Sequence, residues 1–80
     1  MTRYHFNFVD GRFHSGADSH DFESYAEARL AAVSTLGQML RDHPTSPFGD
    51  DDLRVEVTDD NGLILLSVIV AAIEAPSAPR

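Results

Sequence analysis

His14, Asp18, His20 and Asp21 fall within eight residues, and imidazole with carboxylate is a donor set that can hold zinc or a similar ion. Their spacing matches no compact metal motif, and solvated polar residues in a loop are the simpler reading. His14, Asp18 and His20 therefore stand as metal candidates against that background, and no cofactor is expected. Asp59-Asp60-Asn61-Gly62 and Asp50-Asp51-Asp52 invite a calcium reading. An EF-hand loop with Gly62 as its central glycine needs an acidic first ligand where this chain has Val57, so a turn and a solvated acidic stretch are expected instead. His5 and Glu56 can fall on one strand face, but an acid–base pair there also needs a pocket. No Ser-His-Asp order, phosphate loop or dinucleotide fingerprint is present, and the chain is not expected to be an enzyme.

The composition narrows the partners. Thirteen acidic against six basic residues, all six of them arginine, give a formal charge of −7, which repels nucleic-acid backbones and anionic lipid. The absence of cysteine removes disulfide staples and thiolate metal sites. Met1 to His5 lack the apolar run of a secretory signal, and the apolar segment from Leu63 to Ile73 is too short to span a bilayer. A cytoplasmic protein without nucleic-acid or membrane partners is the resulting expectation. Eighty residues make one small domain, for which oligomerisation is a common support.

The elements that position these residues follow from periodicity. Tyr4, Phe6 and Phe8 alternate with His5, Asn7 and Val9, placing three rings on one face of a first strand. Asp10-Gly11 signals a hairpin, Arg12 to His14 begin a short returning strand, and Ser15 to Ser19 read as loop. Ser24 and Glu27 form a capping box, so a helix starts at Tyr25. Its apolar stripe is Tyr25, Ala28, Ala32, Leu36, Met39 and Leu40, with Arg29 at the edge, and Pro44 ends it near Asp42. Leu30 lies off that stripe with Ala26, Val33 and Gly37, a second small-residue strip on which another backbone can pack. Leu53, Val55 and Val57 alternate with Arg54, Glu56 and Thr58, and Asn61-Gly62 turns the chain into a final strand up to Val70.

The expected fold is α+β, in the order β-β-α-β-β: a four-stranded, mostly antiparallel sheet over residues 1–73 with one helix on one face. Residues 74–80, rich in Pro and Ala, form a disordered tail. Phe6, Phe8, Val55, Val57, Ile64, Leu66, Val68, Ala32, Leu36 and Met39 make the core. Leu63 to Val70 is apolar at both parities, and one helix covers only one face of a sheet. The uncovered face then shows Leu65, Ser67 and Ile69 beside His5, Asn7, Arg54 and Glu56. Such a surface suits a homodimer or a protein partner, with Leu65, Ser67, Ile69, Leu30 and Gly37 as interface candidates. The alternative is a small-molecule or metal-binding module using residues His14 to Asp21.

The segment Arg3-Tyr4-His5-Phe6-Asn7-Phe8-Val9-Asp10-Gly11, the Ala-Glu-Ala-Arg helix at Ala26 to Arg29, and Val55-Glu56-Val57-Thr58-Asp59 before an apolar strand resemble a family of short uncharacterised bacterial proteins, a domain of unknown function. The resemblance runs to about Val70. It implies the same element order and brings no catalytic residue or ligand with it.

Overall fold

The fold was obtained as a computed structural model, which describes residues 1–10, 13–14, 18–45 and 53–79. The Gly11 turn position, Arg12, the stretch 15–17 and Asp50 to Asp52 lie outside the described residues. The elements run β1 (Thr2–Asp10), β2 (Phe13–His14), β3 (Asp18–Phe22), α1 (Tyr25–Asp42), β4 (Leu53–Thr58) and β5 (Ile64–Val70). All pairings are antiparallel, in the order β2-β1-β4-β5 with β3 also on β1. β2 and β3 lie on the same side of β1, opposite β4, and act as one returning arm whose register moves by one residue between Val9↔His14 and Phe6↔Asp18. The sheet is thus four strands wide, as the pattern indicated.

β3 corrects the sequence reading, which gave Asp18 and Ser19 to a loop. Only Phe22 in Asp18–Phe22 is apolar, so local propensity gives the segment little reason to extend. Pairing supplies the reason: Thr2 to Phe6 lie opposite Phe22 to Asp18, and Arg3 faces Asp21 in an exposed ion pair at 3.4 Å.

The helix follows its signals. Ser24 caps α1, its Oγ accepting from the Glu27 N–H at 3.2 Å, while the Glu27 carboxylate accepts from the Glu23 N–H at 3.3 Å. Ala28, Ala32 and Leu36 are buried against the sheet, flanked by the partly buried Tyr25, Ala31, Met39 and Leu40. They meet Tyr4, Phe6, Phe8, Leu53, Val55 and Val57, the sheet half of the core. Phe6 stacks on Phe22 with ring centres 5.8 Å apart and meets Phe8 edge-on at 6.4 Å.

Gly37 lies on the exposed side of α1, and a Cβ built there meets nothing within 4 Å. Close backbone packing within the chain therefore does not explain it. Gly37→Ala is expected to stabilise the fold by about 0.5–1 kcal/mol through helix propensity alone. Urea unfolding reads this directly, and a loss of stability would mean that the position touches something beyond its own chain.

The β4–β5 hairpin forms where expected, by a different turn. Asn61 does not take a positive φ, so this is not a two-residue type I′ turn; Gly62 does, at 82°. The Asp59 N–H donates to the Leu63 carbonyl at 3.1 Å, and Asp59 Oδ1 accepts from the N–H groups of Asn61 and Leu63 at 2.9 and 3.0 Å. The extra residue reappears as a bulge: Val57 pairs with Leu66 but Thr58 pairs with Ile64, leaving Leu65 between them.

That bulge corrects the core. Ile64 shares a face with Thr58, away from the helix, and is 53% exposed, whereas Leu66 and Val68 remain inward and partly buried. Beyond β5, residues 71–79 add no helix or strand, only a turn closed by the Ala78 N–H on the Ala75 carbonyl.

Candidate functional site

Directly opposed residues of an antiparallel sheet point to the same side, so the register maps the face away from α1. One row across it is Ser19, His5, Thr58 and Ile64; the next includes Asn7, Glu56 and Ser67; a third includes Val9, Arg54 and Ile69. Ser67 and Ile69 thus lie on the face away from the helix as expected, with Ile64 beside them and Leu65 at the bulge; this face is exposed along β5 but covered at Val9, which is buried. Leu30 and Gly37 sit on the solvent side of α1, across the molecule. The five candidates do not form one continuous surface.

His5 has partners that the sequence reading missed. Its Nδ1 lies 2.7 Å from Ser19 Oγ and its Nε2 lies 2.8 Å from Asp60 Oδ1. A carboxylate only accepts, so Nε2 carries a proton; in the neutral ring Nδ1 then accepts from the Ser19 hydroxyl. The three types recur in nucleophilic catalysis, and they meet here although residues 14 and 55 positions apart supply them. The cluster is open to solvent: Ser19 is exposed, and the Asp60 side chain is 66% exposed. Their chemistry is that of a clasp tying β3 to β1 and to the β4–β5 turn. Glu56, weighed above as the partner of His5, pairs with Arg54 at 3.8 Å.

Strand geometry keeps two of the metal candidates, Asp18 and His20, together and sets Asp21 apart. Asp21 points outward to Arg3, whereas Asp18 and His20 share the inner side with Phe6 and Phe22, the His20 ring 5.8 Å from that of Phe6. His14 lies on β2, and its imidazole is outside what is described. Among the described residues no group of three or more His, Asp or Glu side chains is placed to hold a metal ion. Asp59, one of the calcium candidates, is already engaged by its turn.

The other feature is the β5 border. β5 ends the sheet, with no strand on its far side among the described residues. From Leu63 to Ile73 no residue is charged. Ile69 is 56% exposed and Ile73 92%. Among the described residues no helix is long and apolar enough to cross a membrane, so this surface is not part of a helical span.

A family model described as "Domain of unknown function (DUF6894)" matches residues 3–71. The chain belongs to the DUF6894 family. The match takes in all six elements but for Thr2, the first residue of β1, and it ends one residue past β5. It upholds the expectation of an uncharacterised family. No match was found among curated proteins or among solved structures. The DUF6894 model assigns no chemistry, so the function of this domain has to be read from its own surface.

Proposed function

We propose that this chain is a non-enzymatic protein that binds protein, in the first place a second copy of itself, through the β5 side of its sheet. The observation that carries this reading is the eleven-residue uncharged stretch from Leu63 to Ile73, which holds an edge strand with large apolar side chains in solvent. An unpaired, uncharged border of this kind is what natural sheets otherwise avoid or use. The formal charge of −7 supports a role without nucleic-acid or anionic-lipid partners, and the reading keeps the protein cytoplasmic and free of cofactors.

The metal-module alternative gains no support among the described residues, where Asp18 and His20 share a side but no third His, Asp or Glu joins them as a metal-holding group. Sedimentation over a range of concentrations tests the leading reading. The wild type is expected to self-associate, and Ile69→Glu to weaken association by at least about tenfold, or about 1.4 kcal/mol, while leaving dilute-solution unfolding within about 0.5 kcal/mol. A chain that stays monomeric up to about 1 mM, the millimolar limit of weak binding, would refute it.

A further inference from the structure

We propose that the β5 border pairs with the β5 border of a second copy, antiparallel about Val68, so that two sheets become one. This rests on the self-association reading and adds its geometry. A sheet border is a row of backbone N–H and C=O groups. An extended strand meets that row with matching donors and acceptors at the right spacing; a helix or a flat face leaves it to water.

The two borders of this sheet are built differently. On one, β3 carries Asp18, His20 and Asp21 within five residues, the kind of edge that resists pairing. On the other, β5 has no charge in seven. Two molecules of charge −7 repel, and they approach at least cost where neither presents a carboxylate.

The sequence of the border suits its own copy. The bulge at Leu65 limits the regular edge to Leu66–Val70. Pairing about Val68 sets Leu66 opposite Val70 and Ser67 opposite Ile69, so inward residues meet inward ones and outward residues meet outward ones. Both helices then lie on one side of the joined sheet. A parallel pair related by an axis along the strands would turn one sheet over and set the helices on opposite sides. Five paired residues make less than the roughly 800 Å² per partner of a standard interface, so the dimer belongs to the micromolar range or weaker.

The test uses the full chain, which has no cysteine of its own. Amide exchange is followed at about 10 μM and about 500 μM, spanning the expected affinity. The alternate amides between Leu66 and Val70 that face away from β4 are expected to exchange at least about tenfold more slowly at the higher concentration. Val68→Cys is expected to oxidise to a linked dimer, since opposed Cα atoms lie about 4.5–5.5 Å apart and a disulfide spans about 4.4–6.8 Å. Added salt should tighten the dimer by screening like charges.

A dimer in which the β5 amides are unchanged and Val68→Cys is not linked would overturn the edge geometry while leaving self-association standing. A chain monomeric at every concentration would overturn both. Association that requires a basic extended peptide and weakens with salt would overturn the second copy as occupant.

Discussion

Phe6→Ala is expected to cost about 3–5 kcal/mol, the range for removing a buried aromatic ring. Phe6 is 2% exposed, and its ring lies among those of Phe8, Phe22 and His20. It also joins elements that nothing local holds together: its backbone pairs with Asp18 on one side and Val57 on the other. An 80-residue chain has about 4–12 kcal/mol of stability in total, so the variant would keep a fraction of it at best. Urea unfolding followed by far-UV circular dichroism gives the number. A loss below about 1 kcal/mol, typical of a surface or average site, would show that the ring is not buried as described.

Ala32→Leu is expected to cost about 1–3 kcal/mol for the opposite reason. Ala32 has no exposed surface, and with Ala28 it lets the helix backbone approach the sheet closely. Added side-chain carbons at that point must lift the helix or force neighbouring side chains from their rotamers. The same change at Ala26, which is exposed, serves as the control and should lie within about 0.5 kcal/mol of the wild type. If the two variants behave alike, the helix does not dock through Ala32.

Much of this fold was legible because its signals are local. The Ser24–Glu27 cap, the Pro44 stop and the alternation in β1 and β4 place those elements to within a residue or two. β3 was missed because its stability comes from a neighbour: Asp18–Phe22 extends only when β1 is there to pair with it. Ile64 was assigned to the wrong side because a run apolar at both parities gives no sign of a bulge, and one extra residue reverses every side chain beyond it. The His5 clasp was invisible for a third reason. Its partners come from a strand not recognised and from a turn 55 residues away, and no spacing rule connects them. The uncovered apolar strand was the part of the candidate site that the pattern could reveal, since two-sided hydrophobicity is a property of the strand itself.

In the proposed dimer, the unlike borders of the sheet would also set how far assembly can go. A molecule bare at both margins would add copies without limit and grow into a filament. If two bare margins join as proposed, the margins left outward are the β2–β3 sides, where Asp18 and Asp21 stand, and the count would stop at a pair.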